Sequence, residues 1–176
     1  GLGYRAFVYE APVFIVGYGD GTYDGNPYAE SAEFALNNGQ VLGQRFVVAG
    51  APLTFQAVGA YLRNEGNPSA PVSWSVQTDE AVGRTVCSGL LADSSAVSSG
   101  MTWVDASTGT RILPLGIYRF VLSSNASSGS DYRWAVDSTT VLGSQAGPAG
   151  MDQTTYEGPR SRALESPDGV AWYEME

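Results

Sequence analysis

The sequence predicts an all-β protein: a single-domain antiparallel β-sandwich of the jelly-roll type, with roughly eight to ten strands. Within residues 113–136, two short runs rich in aromatic and β-branched residues flank a small polar loop. Bulky residues alternate with their neighbours in both runs, as they do in half-buried strands. Similar runs recur along the chain with turn signals between them, which is typical of sandwiches and barrels.

The first 39 residues are predicted to form an N-terminal arm and a turn-rich segment. Residues 1–12 are compatible with a linker arm or with a first strand, and residues 13–18 are a strand candidate. The many apolar side chains of residues 1–18 favour an assembly contact over a free arm. Two Asp-Gly pairs and an Asn-Pro pair in residues 20–27 indicate turns. Ala and Glu are concentrated in residues 30–36 and predict a short helical turn, and Asn38-Gly39 predicts a tight turn.

The remaining residues, 40–176, are predicted to form the jelly-roll sandwich. Trp74 lies between Val72 and Val76 in a run whose alternate residues are Ser or Gln, so we expect its ring in the core. The same alternation predicts core positions for the bulky residues of the opening pair: Tyr118, Phe120, Tyr132 and Trp134. The predicted strands are residues 44–48, 53–62, 72–77, 85–91, 101–104, 111–113, 117–122, 132–136 and 170–175.

The charge pattern excludes several classes of partner. The formal net charge is −9, there is no His, and every cation is an Arg. Nucleic-acid binding needs a basic surface, so we expect no nucleic-acid partner. An anionic surface also disfavours acidic phospholipids, and no run reaches the ~18 apolar residues of a membrane span, so no membrane insertion is expected.

Catalysis has little support in the residue types present. A chain without His has no Ser-His-Asp triad, no Cys-His pair and no His metal ligand. Paired carboxylates can serve glycosidases, but the acidic residues fall almost entirely in predicted turns, where they are expected as solvated turn formers. We therefore expect a protein that is not an enzyme. Cys87 is the single cysteine and is expected to be a buried structural thiol.

One turn-rich segment resembles a calcium-binding loop. Oxygen-bearing side chains alternate along it at Asp20, Thr22, Asp24 and Asn26, as in the first half of an EF-hand loop. The twelfth position is Ser31, where an EF-hand has Glu. The sequence thus leaves two interpretations, a structural calcium site and a metal-free turn.

A series of short motifs runs through residues 40–176 in a fixed order. They are Gln44-Arg45-Phe46, residues 57–62 followed by Gly66-Asn67-Pro68, Trp103, residues 113–118, Tyr132-Arg133-Trp134, Tyr156-Glu157-Gly158 and Trp172. This order resembles a family of carbohydrate-binding-module-like jelly-roll domains found in secreted bacterial proteins and in phage tail and virion proteins. The resemblance implies a sandwich that binds glycans or serves as a spacer or assembly unit.

Glycan recognition needs aromatic rings that stack on sugars and polar side chains that bind hydroxyl groups. Trp103, Tyr156 and Trp172 lie at loop or terminal positions and are candidate stacking residues, although Trp103 is equally compatible with a core position. Asp131 and Arg133 are candidates for a polar rim.

Two functions follow from these observations. The first is a non-catalytic, glycan-binding module of a virion, such as a tail fibre, or of a secreted cell-surface protein, located outside the cell or on the virion. The alternative is a purely structural protein of a virion or filament, such as a capsid decoration or tail component, without glycan binding. In either case we expect an oligomer, or contacts with neighbouring domains, through the N-terminal arm.

Overall fold

The computed structural model describes residues 3–4, 6–10, 13–14, 32–48, 51–137 and 163–174. Within these ranges the regular secondary structure is β-strand, apart from one 3-10 helix at Ser94–Ala96. The described part of the chain contains no helix with the length and apolar character needed to cross a lipid bilayer. The strands are β1 (Gly3–Tyr4), β2 (Ala6–Glu10), β3 (Val13–Phe14), β4 (Ala32–Leu36), β5 (Val41–Val48), β6 (Leu53–Glu65), β7 (Val72–Thr78), β8 (Thr85–Ala92), β9 (Thr102–Leu113), β10 (Gly116–Ser124), β11 (Asp131–Asp137), β12 (Ala163–Ser166) and β13 (Tyr173–Glu174).

The first sheet is built around β6 and β11. Strand β11 pairs with β4 on one edge and with β6 on the other, and β9 pairs with the far edge of β6. Strands β1 and β2 extend the same sheet, because Gly3 pairs with Asp137 of β11 and Phe7 pairs with Gly59 of β6. Thus β1, β2 and β4, from the segment expected to be an arm, contribute strands to the sandwich.

The second sheet has the order β13-β12-β5-β10-β7-β8. From β4 to β12, successive strands alternate between the two sheets, and only the β7-β8 hairpin stays within one sheet. Strands that alternate between two packed antiparallel sheets define the jelly-roll arrangement. The predicted all-β, antiparallel jelly-roll sandwich is therefore confirmed.

The core lies between the two sheets and consists of the predicted alternating residues. Trp134 is fully buried, and its ring meets Phe120 edge to face with 6.1 Å between ring centroids. Trp74, Tyr118 and Tyr132 are also buried, as expected. The Tyr132 hydroxyl donates a hydrogen bond to Ala70 O at 2.5 Å, so its polar end is satisfied within the core.

The predicted helical turn over residues 30–36 is wrong. Residues 32–36 form β4, in which Phe34 pairs with Trp134 and Leu36 pairs with Tyr132 of β11. Helix propensity differs by less than about 1 kcal/mol between ordinary residues, so pairing with a core strand overrides it. The tight turn at Asn38-Gly39 is confirmed, and the Gly39 amide donates to Asn37 Oδ1 at 2.8 Å.

The C-terminal segment reaches the outer face of the second sheet. Phe120 points into the core, so its neighbour Arg119 points outward. The side chain of Arg119 is nevertheless only 3% exposed. Trp172 lies beside it on this face, with ring atom Cζ3 3.0 Å from the position that a Cβ atom on Gly43 would occupy. A strand face that would otherwise be open to solvent is thereby partly enclosed.

Candidate functional site

A groove formed by described residues lies on the outer face of the second sheet, and we name it the Trp172 groove. Its walls are the turn between β7 and β8 and the segment that leads into Trp172. The groove encloses about 440 Å³, within the ~300–1,000 Å³ range of small-ligand sites. It is lined by Arg45, Asp79, Glu80, Ala81, Arg119, Val170, Ala171 and Trp172.

Two arginines from adjacent strands meet in this groove. Arg45 of β5 and Arg119 of β10 are cross-strand partners, so their side chains leave the sheet next to each other on the outer face. Asp79 lies against both: Arg45 Nε donates to Asp79 Oδ2 at 2.6 Å, and Arg119 Nη1 lies 3.7 Å from Asp79 Oδ1. The Asp79 amide donates to Ile117 O at 3.0 Å, which ties the turn to β10. One carboxylate is therefore shared between two guanidinium groups.

Arg119 is the buried member of this cluster. Its Nε donates to Gln77 Oε1 at 3.0 Å and its Nη1 donates to the main-chain oxygen of Glu80 at 3.0 Å. Burial lowers the pKa of the Arg119 guanidinium, and Arg45 adds to this effect while Asp79 and Glu80 oppose it. The group stays charged, because an arginine pKa starts far above neutral pH.

The turn between β7 and β8 is shaped to fit the Arg119 side chain. A Cβ atom on Gly83 would clash with Arg119 Nη2 and with the main-chain oxygen of Thr78. The turn is closed by two hydrogen bonds, one from the Thr78 amide to Arg84 O at 2.9 Å and one from the Arg84 amide to Thr78 Oγ1 at 2.8 Å. The absence of a side chain at Gly83 lets the guanidinium lie under this turn.

The opposite wall is a short turn that ends at Trp172. Asp168 Oδ1 accepts hydrogen bonds from the amides of Val170 and Ala171, both at 2.9 Å. These amide hydrogen bonds lower the pKa of the Asp168 carboxyl group, so it is ionised when it holds the turn. Trp172 is partly exposed, and the Arg119 guanidinium carbon lies 4.6 Å from the centre of its ring. This distance allows a cation–π contact that fixes the ring against the sheet.

Trp103 lies on the other sheet, away from this groove. It pairs with Tyr61 of β6, and the two rings meet edge to face with 5.1 Å between centroids. The Trp103 ring covers Gly59, and its Nε1 donates to Asp105 Oδ2 at 2.9 Å. Trp103 is partly exposed on the outer face of the first sheet. The two candidate tryptophans therefore do not share a site.

Asp131 and Arg133 are close together, but Asp131 is not at an exposed rim. Its side chain is 1% exposed, and its Oδ2 accepts a hydrogen bond from Asn37 Nδ2 at 2.8 Å. Its Oδ1 lies 3.3 Å from Arg133 Nε, so the two side chains form an ion pair. Both atoms are buried, and their geometry does not meet that of a hydrogen bond. The hydrogen bond from Asn37, and not the ion pair, ties the first residue of β11 to the turn before β5.

A smaller hollow of about 280 Å³ lies beside the loop between β10 and β11. No aromatic or charged side chain lines it. Its lining consists of Asn67, Pro68, Ser69, Ala70, Asn125, Ala126, Ser127 and Ser130.

Several predicted residues lie outside the described part of the chain. They are Tyr156 and the four candidate calcium ligands, Asp20, Thr22, Asp24 and Asn26. Within the described ranges, no group of three or more Cys, Asp or Glu side chains is arranged to hold a metal ion. Calcium binding stays a prediction.

The sequence analysis selected none of the charged residues of the Trp172 groove as a ligand-binding residue. Arg119 was detectable in principle, because it is the one charge in the apolar run 117–122. Arg45 was part of a recognised motif, but only as a structural feature. Asp79 and Glu80 read as turn residues, and nothing in the local sequence connects them to Trp172.

The fold and the groove define a jelly-roll β-sandwich with a surface groove that is walled by a tryptophan and contains charged side chains. Comparison with known protein families found no family model that matches this chain, and comparison with curated proteins found no similar protein.

Proposed function

We propose that this protein is a non-catalytic recognition module that binds a glycan in the Trp172 groove and acts on a virion or outside the cell. The observation that carries the proposal is the combination of a partly exposed tryptophan with two arginines and two acidic residues in one groove. Sugars present an apolar ring face and a fringe of hydroxyl groups, and this combination is complementary to both.

The polar side chains provide both kinds of hydrogen-bonding group. Asp79 and Glu80 accept hydrogen bonds from sugar hydroxyls, whereas Arg45 and Arg119 donate them. Both arginines lie on paired strands, and the Asp79 amide is hydrogen-bonded to β10. A site held in this way loses little conformational entropy when a ligand binds, which favours affinity.

The test is a glycan array followed by calorimetric titration of any ligand found. Trp172→Ala is expected to abolish binding, and Glu80→Gln, which changes an exposed side chain, is expected to weaken binding of neutral sugars without loss of the fold. Absence of binding by the wild-type protein to every glycan would refute the proposal.

Trp103→Ala is the matched comparison, because it removes the same side chain from the other sheet. If Trp103→Ala loses binding and Trp172→Ala keeps it, the site lies on the first sheet and the assignment to the groove is wrong. Melting temperatures of both variants separate loss of a contact from loss of structure.

A second function, structural assembly, is favoured by the edge strand β8. This strand is the last in the second sheet, has no charged residue, and exposes half of the Leu90 side chain. Uncharged open edges pair readily with other strands. We propose that a second copy pairs with β8 if the protein assembles. Light scattering should then show an oligomer that Leu90→Lys dissociates, and a wild-type monomer at high concentration would reject this function.

A further inference from the structure

We infer that the glycan bound in the Trp172 groove carries a carboxylate, so that the ligand class is an acidic sugar. The inference is based on the buried guanidinium group of Arg119, which lines the groove beside the guanidinium group of Arg45. The Asp79 carboxylate is shared between these two groups. The inference rests on the proposed function, because it names the kind of glycan that the same groove takes.

The charge of Arg119 is incompletely balanced by its hydrogen bonds. Its side chain is 3% exposed, yet the acceptors bound by Nε and Nη1 are uncharged oxygens, from the Gln77 side chain and the Glu80 main chain. The carboxylate of Asp79 lies 3.7 Å from Nη1, beyond the length of a hydrogen bond. A buried charge is costly unless an opposite charge pairs with it and hydrogen-bonds to it.

The second guanidinium increases the imbalance. Arg45 lies directly across from Arg119, and like charges at opposite positions of two strands repel each other. The short hydrogen bond of Asp79, at 2.6 Å, goes to Arg45. Consistent with this arrangement, burial and Arg45 together lower the pKa of Arg119 although Asp79 and Glu80 act to raise it.

A ligand carboxylate supplies a charged acceptor, whereas the hydrogen bonds of Arg119 described above go to uncharged oxygens. A guanidinium group is planar and presents its donors as a fork that fits the two oxygens of a carboxylate. The sugar ring that carries the carboxylate then lies near Trp172, since Arg119 is stacked 4.6 Å from the centre of the Trp172 ring.

Two features of the protein oppose anion binding. The net charge of −9 acts at long range, but salt at physiological strength screens charges beyond ~8 Å. Glu80 is exposed at the groove and repels an incoming carboxylate. Glu80→Gln is therefore expected to strengthen binding of acidic sugars severalfold, the opposite of its effect on neutral sugars.

The experiment is calorimetric titration of the full chain with matched pairs of oligosaccharides. The probes are oligosaccharides of glucuronate, of galacturonate and of lactose capped with sialic acid, each paired with the same compound after reduction of its carboxylate to an alcohol. The acidic member of at least one pair should bind about tenfold more tightly, which is the effect of one charge-assisted hydrogen bond. Arg45→Gln should reduce this ratio, and Arg111→Gln, which removes the same charge from an exposed position on the first sheet, should not.

The outcomes separate the two proposals. If neutral members bind as tightly as acidic members, the inference is overturned and glycan binding stands. If no member of any pair binds, glycan binding fails and the inference fails with it. Sodium acetate is the control for a simple anion site. If acetate displaces the acidic sugar and binds with the same affinity, the sugar ring contributes nothing and the inference is overturned.

Discussion

Gly59 and Gly43 each lie under a tryptophan ring, but substitution by alanine is expected to destabilise the protein only at Gly59. Gly59 lies beneath Trp103 on the first sheet, and Gly43 lies beneath Trp172 on the second. A Cβ atom on Gly59 would lie 2.9 Å from Trp103 Cη2 and closer still to two other ring atoms. A Cβ atom on Gly43 would lie 3.0 Å from one atom of Trp172 and 3.4 Å from another.

These distances predict that Gly59→Ala and Gly43→Ala have different effects on the free energy of unfolding. Overpacking costs about 1–3 kcal/mol, and three close ring atoms place Gly59→Ala near the upper end. Replacement of glycine by alanine also restricts the unfolded chain, which offsets about 0.4–1 kcal/mol. Gly59→Ala should therefore lower the free energy of unfolding by about 2 kcal/mol. Gly43→Ala should change it by less than about 0.5 kcal/mol, because a shift of a few tenths of an ångström relieves its contact.

Thermal and urea unfolding of the two variants test this expectation. A loss of 2 kcal/mol corresponds to a decrease of roughly 4–8 °C in melting temperature for a chain of this length. Gly43→Ala should keep the melting temperature but alter tryptophan fluorescence, because the Trp172 ring moves. If both variants melt together, or if Gly43→Ala melts at the lower temperature, the packing described for the two rings is wrong.

Three further predictions concern the charged and phenolic groups. Arg119→Lys keeps the charge but loses the planar fork, so we expect the free energy of unfolding to fall by about 1–2 kcal/mol in urea titrations. Asp131→Ala leaves the partly buried guanidinium group of Arg133 without its carboxylate, so the free energy of unfolding should fall by about 2–3 kcal/mol in the same assay. Glu65→Ala is the control, because the Glu65 side chain is 44% exposed; its loss should lower the free energy of unfolding by well under 1 kcal/mol. Burial raises the pKa of Tyr118 and of Tyr132, so the folded state binds these protons more tightly than the unfolded state does. This stability is present in full below the unfolded pKa of about 10 and is lost as the pH rises towards the folded values; melting temperatures should fall above pH 10, and a flat profile would contradict the burial of both hydroxyl groups.

The architecture was predictable because the alternation of side chains along a strand reports which face is buried. Trp74 and Trp134 were placed in the core from this pattern alone, and both are buried. Strand bounds were less accurate. The predicted strands 101–104 and 111–113 belong to one strand, β9, which begins at Thr102 and continues through an irregular pairing opposite Phe55 and Ala57. Because the irregular pairing interrupts the alternation of buried and exposed side chains, the sequence pattern predicts two strands where the structure has one.

The groove was not predictable, because its residues come together only through the sheet order. Arg45 and Arg119 are far apart in sequence and become neighbours because β5 pairs with β10. Asp79 joins them because the β7-β8 hairpin stays in the same sheet. Trp172 was selected as a terminal aromatic residue, but its neighbours depend on where the C-terminal segment crosses the sheet.

Arg119 shows why alternation predicts a fold better than it predicts a site. The period of two assigns this residue to the outer face, where an arginine is ordinarily solvated. That inference holds only if no other segment covers the face, and here the turn at Gly83 and the ring of Trp172 do so. The consequence is a nearly buried cation that lines an open groove, and the burial of a charge is costly. The binding role that we propose accounts for that cost, and the acidic and neutral members of each sugar pair test whether it does so through charge.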